Sequence, residues 1–283
     1  MRIAFLGLGR MGRELVHHLL ADARFDVVVW NRTPAAAESF RADGAAVAAS
    51  LAEAVAGTDV VMTCLFGADA VREVVVESGV ALPPGCLWVE LSTVGPLAAA
   101  DFAAWAEAGG VHYVHAPVLG SLGPARARDL GVLIGGTDPQ ARAAARGIVA
   151  LWADPERIIE YDSAAAAATG KLVVNYGLAV GVQALAEALR LGDAGGLTQA
   201  QTLALLRLPK TPLVGIAAAK ADIIAHGDYS DTQFSTNLLA KDVDLMLTLA
   251  DGRALPALTA AFASLEHARR TGHGEDDFAA MVG

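Results

Sequence analysis

Cysteine is nearly absent from this 283-residue chain, with Cys64 and Cys86 the only two. Two thiols cannot build a disulfide framework or a structural zinc site, and reduced cysteines suit a cytoplasmic address. Positive charge is scarce as well: Lys and Arg number 21 against 31 Asp and Glu, a formal net charge of -10. No nucleic-acid partner and no anionic membrane surface is therefore expected, and any anionic ligand must be caught locally. Charged residues make up 18% and aromatic ones 6%, whereas hydrophobic residues reach 54%, a globular composition rather than a disordered one. Uninterrupted apolar runs are missing too. Gly7, Gly9, Arg10 and Gly12 break the apolar start before a signal-peptide core forms. The stretch 164–189 carries Lys171, Asn175, Gln183 and Glu187, so it reads as a buried helix.

At about 150 residues per domain the length accommodates two domains. In the first part, β-branched runs at 2–6, 25–30, 59–64, 87–91 and 111–116 alternate with helical patterns at 11–20, 35–42, 51–56, 68–76 and 96–108. Strand–helix repetition of this kind implies a mainly parallel sheet covered on both faces. Weaker strands at 131–134 and 157–160 flank a helix at 139–151. After Tyr161 only Ala- and Leu-rich helical segments follow, at 164–191, 198–206, 213–226, 237–250 and 256–270. Asp162 or Ser163 would cap the first of these, and Gly192, Gly195 and Gly196 would end it. The expected domains are thus 1–162 and 163–283, and the acidic tail 271–283 carries no legible function.

Gly7-Leu8-Gly9-Arg10-Met11-Gly12 follows the first strand and opens the first helix. Gly7 permits the tight turn, Gly9 lets the backbone approach a pyrophosphate, and Gly12 lets helix and strand pack closely. The pattern predicts a Rossmann domain that binds a dinucleotide. An NAD site normally has Asp or Glu at the end of the second strand, about 20 residues beyond the glycines, but here Trp30 runs into Asn31-Arg32-Thr33. No carboxylate repels a 2′-phosphate there, Arg32 supplies a guanidinium fork, and Asn31 and Thr33 add hydrogen bonds. The expected cofactor is NADP. No metal is expected: His17 and His18 are adjacent on one helix, and His112 and His115 have no carboxylates in sequence reach.

These motifs, followed by Leu91-Ser92-Thr93, Ala116-Pro117-Val118, Gly170-Lys171-Leu172-Val173-Val174-Asn175 and Lys241-Asp242, resemble the β-hydroxyacid dehydrogenase family. That family includes 3-hydroxyisobutyrate dehydrogenase, tartronate semialdehyde reductase and glyoxylate or succinic semialdehyde reductases. The resemblance implies an α/β fold: an N-terminal Rossmann domain, a long interdomain helix and an all-helical C-terminal domain for substrate and dimerisation. It also implies a small-molecule substrate and a homodimer or homotetramer. Lys171 is assigned the proton exchanged with the substrate oxygen while hydride passes to or from NADP, and Asn175 positions the substrate. The resemblance further implies that Thr93 lies near the nicotinamide, that Lys241 contacts cofactor or substrate, and that Leu65 and Phe66 flank the adenosine ribose and pyrophosphate. Phe234 either walls the substrate pocket or belongs to the core. The residues agree over Lys171: it shares a helix face with Asn175, Gly170 beside it leaves room for a ligand, and burial with a second cation such as Lys241 lowers an ammonium pKa.

One position departs from the family pattern. Where Ala-Pro-Val runs into a Ser-Gly that holds the substrate carboxylate, this chain has Leu119-Gly120-Ser121. The amides of Gly120 and Ser121 still form an anion-binding nest. Either Ser121 takes over, or the substrate is bulkier and less acidic than a simple hydroxy acid, or the chain is an inactive relative. Three functions follow: an NADP-dependent dehydrogenase or reductase of small hydroxy acids and their semialdehyde or keto forms; an imine-reductase-like NADPH-dependent enzyme with an apolar pocket; and a non-enzymatic NADPH-binding protein.

Overall fold

The computed structural model describes residues 1–211 and 213–282; Gly283, which ends the second expected domain, lies outside the described residues. The chain divides into two compact units, Met1–Lys171 and Leu172–Gly283. In the first, β1 (Arg2–Leu6), α1 (Arg10–Leu20), β2 (Asp26–Trp30), α2 (Pro34–Glu38), β3 (Ala46–Val47), α3 (Leu51–Val55) and β4 (Val60–Thr63) are followed by α4 (Ala68–Val71), which continues as a π-helical turn over Arg72–Val76. Next come β5 (Leu87–Glu90), α5 (Pro96–Ala108), β6 (His112–His115), β7 (Val118–Leu119), α6 (Leu122–Ala127), β8 (Leu130–Gly135), α7 (Pro139–Val149) and β9 (Ala153–Tyr161). The long helix α8 (Ala164–Ala194) begins in this unit and ends in the other.

The nine strands form one sheet in the order β3-β2-β1-β4-β5-β6-β8-β7, with β9 paired to β8. The first six pair in parallel, the doubly wound arrangement, while β8 runs antiparallel to β6 and β7. Alternate residues of each central strand enter different cores. Ile3 and Phe5 join one apolar cluster under α1 and α7, whereas Ala4 and Leu6 join the other with Trp88 and Phe102. Burial on both faces explains why these strands read as nearly continuous apolar runs. Trp88 anchors the second cluster, its ring lying 4.9 Å from Tyr113, 5.7 Å from Trp105 and 5.9 Å from Phe102. Pro at the first helical turn starts α2, α5 and α7, where its fixed φ is favourable and its missing N–H is not needed.

The two compact units divide inside α8, after Lys171. Ala164 and Ala168 are buried with the sheet's second cluster, and a Cβ on Gly135 would stand 2.6 Å from Ala167 Cβ, so the first turns of the helix belong with β8. The Ser163 hydroxyl accepts a hydrogen bond from Ala166 N at 3.2 Å, which makes it the cap. Gly192 does not end the helix. It is buried by close approach instead, since a Cβ there would lie 2.2 Å from Thr202 Oγ1.

The second unit adds α9 (Gln199–Leu206), α10 (Val214–His226), α11 (Thr236–Ala250) and α12 (Pro256–Arg270) to the remainder of α8. By length and composition α8 could cross a membrane, but Leu172, Ala179, Val182, Leu185 and Leu189 are buried in this unit's two apolar clusters. The tail is structural: Phe278 to Met281 are buried in a closing 3-10 turn. Asp277 holds it, accepting from Lys220 Nζ at 2.9 Å and from the amides of Gln233, Phe234 and Ala279 at 3.0–3.3 Å. A buried carboxylate so fully partnered avoids most of its desolvation penalty.

Candidate active site

Register brings one row of residues to the carboxyl edge of the parallel sheet: Trp30 beside Leu6, Leu6 beside Thr63, Thr63 beside Glu90, and Glu90 beside His115. The loops that follow these residues emerge side by side where open α/β sheets form their ligand crevice. Gly7 has φ +102°, and a Cβ on it would lie 2.4 Å from Cys64 O. A Cβ on Gly12 would lie 2.2 Å from Gly7 O, so this residue lets α1 sit against the turn. Gly9 has no heavy atom within 4 Å of its Cβ position and provides no side-chain cap to α1. Gly7 and Gly12 are thus required by close backbone approach, and the space beside Gly9 at the start of α1 is open.

Asn31 is committed to the loop more than the sequence suggested. Its Oδ1 accepts from Leu8 N at 2.9 Å and its Nδ2 donates to Thr33 O at 3.1 Å. The amide thus ties the second strand's exit to the glycine turn. Arg32 is exposed, and its Nη1 lies 3.2 Å from Glu73 Oε2 on the π-helical turn after α4. Glu73 was invisible in the motif because it is 41 residues away. After β4, Leu65 N donates to Ser92 Oγ at 2.8 Å and Phe66 is 57% exposed. Thr93 is half-buried on the neighbouring loop.

Beneath these loops lies a polar cluster that sequence reading missed. The fully buried Glu90 accepts from Ser92 N at 2.6 Å through Oε1 and from the Thr63 hydroxyl through Oε2, while Trp88 Nε1 donates to Thr63 Oγ1 at 2.8 Å. Burial pushes the Glu90 carboxyl up to about 7, against the pull of these hydrogen bonds. His115, its neighbour in register, is fully buried with neither ring nitrogen partnered among the described residues, and desolvation lowers its pKa to about 3. It is a neutral core imidazole.

Leu119 pairs across β7 and β8 with Gly131, whose Cβ position is 3.2 Å from Leu119 Cβ. The glycine thus makes room for the leucine that replaces the family serine. Gly120 has φ +128°, and Ser121 begins α6 without a side-chain capping bond.

Lys171 closes the first unit and is buried, as is Asn175 one turn further along α8. Gly170 does not leave space for a ligand as expected. A Cβ there would meet Leu133 Cδ1 at 3.0 Å and Tyr161 Oη at 3.2 Å, so it seats α8 against β8 and β9. In the second unit Asn175 Nδ2 donates to Asp242 Oδ2 at 2.5 Å, and Lys241 Nζ lies 2.9 Å from Asp242 Oδ1. Asp242 is therefore the organising residue, holding both assigned side chains. Phe234 packs against this unit's core with its ring 6.1 Å from that of Phe278, which favours the core role over the pocket wall. Among the described residues, no three His, Cys, Asp or Glu side chains are grouped so as to hold a metal ion.

Residues 2–159 match the NAD binding domain of 6-phosphogluconate dehydrogenase, and residues 165–283 match the NAD-binding domain of NADP-dependent 3-hydroxyisobutyrate dehydrogenase. A probable 3-hydroxyisobutyrate dehydrogenase of Mycobacterium tuberculosis is 32% identical over 291 residues, covering 99% of this chain and 96% of the relative. Glyoxylate/succinic semialdehyde reductase 1 of Arabidopsis thaliana is 29% identical, covering 100% and 97%. A solved structure of 3-hydroxyisobutyrate dehydrogenase from Mycobacterium tuberculosis with L-serine superposes with a TM-score of 0.82 at 29% identity, covering 99% and 97% of the two chains. Glycine turn, doubly wound sheet, helical second unit and full-length similarity agree: the chain belongs to the 3-hydroxyisobutyrate dehydrogenase family and is an NAD(P)-binding oxidoreductase of the β-hydroxyacid dehydrogenase type.

Proposed function

We propose that the chain transfers hydride between NADP(H) and a small hydroxy acid or its semialdehyde or keto form, with Lys171 as general acid and base. The observation that carries this reading is a buried lysine one helical turn from a buried asparagine whose orientation Asp242 fixes. When bound, the nicotinamide supplies or accepts the hydride. In reduction the Lys171 ammonium gives a proton to the carbonyl oxygen and is reprotonated from solvent; in oxidation neutral Lys171 takes the hydroxyl proton. Asn175, its amide held by Asp242, positions the substrate.

NADP rather than NAD is supported by Arg32 and by the absence of a carboxylate at the end of β2. Arg32 already holds an anionic oxygen, that of Glu73, at 3.2 Å. A homodimer or homotetramer is supported by apolar side chains left exposed on α8 and around α9, including Val173, Leu191, Leu205 and Leu208. The free thiols of Cys64 and Cys86 go with a reducing, cytoplasmic setting.

A second reading, an imine reductase with an apolar pocket, is favoured by Leu119 lying over Gly131, whereas Lys171 favours carbonyl chemistry. A turnover screen with NADPH against semialdehydes, glyoxylate and cyclic imines separates the two. Activity confined to imines would reverse the assignment, and none with any carbonyl or imine would leave cofactor binding as the function.

A further inference from the structure

Buried carboxyls normally take the strongest partner within reach, and next to Glu90 in register stands a histidine. Glu90 does not take it: among the described residues neither ring nitrogen of His115 has a hydrogen-bond partner, nor does the Tyr113 hydroxyl in the same buried layer. The carboxyl turns instead to the edge of the sheet, where Oε1 receives Ser92 N at 2.6 Å and Oε2 receives the Thr63 hydroxyl. The Ser92 hydroxyl in turn receives Leu65 N at 2.8 Å. Leu65 then abuts the glycine turn, for a Cβ on Gly7 would fall 2.7 Å from its Cδ2. One uninterrupted series of contacts thus runs from Glu90 through Ser92 and Leu65 to Gly7, joining the exits of β5, β4 and β1.

We infer that Glu90 is a positioning residue for the cofactor, fixing the loops after β4 and β5 against the glycine turn through Ser92. Its own carboxyl is fully buried beneath the loops, so its effect is exerted through backbone placement. A misplacement of about 1 Å at such loops is enough to weaken binding strongly. Glutamine keeps an amide oxygen where Oε1 receives Ser92 N, whereas alanine leaves that N–H unpaired and opens a cavity.

The inference rests on the reading that Leu65 and Thr93 line the cofactor, and one set of titrations tests both. Direct fluorescence titration of the purified full-length protein with NADPH should show Glu90→Ala weakening binding about tenfold or more. In turnover the loss should appear mainly in KM for NADPH, with kcat at saturating cofactor changed less, and Glu90→Gln should restore most of the affinity. Ser92→Ala should weaken binding as well, and the Glu90→Ala/Ser92→Ala pair should lose no more than the larger single loss, because the two act in series. Parental affinity in folded Glu90→Ala, or fully additive losses in the pair, would overturn the inference. If Glu90→Ala does not fold, Glu90→Gln and Ser92→Ala decide: parental affinity in Ser92→Ala, or a tenfold loss in Glu90→Gln, contradicts the series. Thr93→Ala and Leu65→Ala separate the underlying reading. If both bind NADPH as the parent does, that reading fails; if they weaken binding while Glu90 variants do not, only the present inference fails.

Discussion

The proposed 2′-phosphate preference would have a measurable size because Arg32 is already engaged. Its guanidinium and the Glu73 carboxylate are 75% and 64% exposed and 3.2 Å apart, and an exposed pair of this kind contributes about 0–1 kcal/mol. A 2′-phosphate offers the same guanidinium a more highly charged partner, and a charge-assisted hydrogen bond to it contributes about 1.5–3 kcal/mol. Subtracting the displaced ion pair leaves about 0.5–3 kcal/mol, a preference for NADPH over NADH of about twofold to a hundredfold or more. Arg32→Ala should erase that preference by weakening NADPH while leaving NADH nearly unchanged. Glu73→Gln should strengthen NADPH about twofold to fivefold by removing the competitor, and in an Arg32→Ala background it should gain nothing if it acts through Arg32. Calorimetric titration of both cofactors at two salt concentrations provides the check, since NADPH affinity should weaken with salt more steeply than NADH affinity. Equal affinities for both cofactors in the parent, or a Glu73→Gln gain shared by NADH, would refute the reasoning.

Lys171→Met should leave NADPH affinity near the parental value and lower kcat by about a hundredfold or more, read by steady-state kinetics beside a cofactor titration. Leu119→Ser should raise kcat/KM for carboxylate substrates such as glyoxylate by about tenfold or more and lower it for larger apolar carbonyls or imines; an unchanged ratio moves attention to Ser121. His115, held neutral with a pKa near 3, contributes stability above pH 6.5 that is lost as pH falls towards 3, by about 1.4 kcal/mol per unit for one proton. Denaturant melts of His115→Leu should therefore gain most over the parent at acid pH. Glu90 acts with the opposite sign: its raised pKa gives stability below pH 4.5 that is lost as pH rises through about 7, so Glu90→Gln should flatten that fall.

Most of the sheet was legible because its strands are buried on both faces. Residues 2–6 and 96–108 match their elements to the residue, the one from its apolar run and the other from Pro96 at the helix start. What escaped was short or locally contradictory. Two-residue β3 and β7 have no period to detect, and Leu122–Ala127 forms a helix although it contains Gly123 and Pro124. Pro124 is tolerated because it falls in the first turn, where its missing N–H has no intrahelical acceptor. Gly192 looked like a helix end and is a helix contact, a distinction that depends on Thr202 and not on any neighbour in sequence.

The site divides in the same way. The residues expected to touch ligand sit in motifs because glycine conformation and helix spacing are local properties, and the carboxyl edge of the sheet collects the motifs from β1, β2, β4 and β5. The residues that hold them were not legible, because a hydrogen bond across the fold leaves no trace in spacing. Asp242 reaches Asn175 over 67 positions, Glu73 reaches Arg32 over 41, and Glu90 reaches Thr63 over 27. All three are carboxylates serving a cation, an amide or a hydroxyl assigned or adjacent to the ligand sites. In a chain with ten more acids than bases, individual carboxylates carry little information in sequence. Burial separates them: Glu90 and Asp242 are almost fully inaccessible, and the groups that hydrogen-bond or ion-pair with them lie on the segments that the ligands are expected to meet.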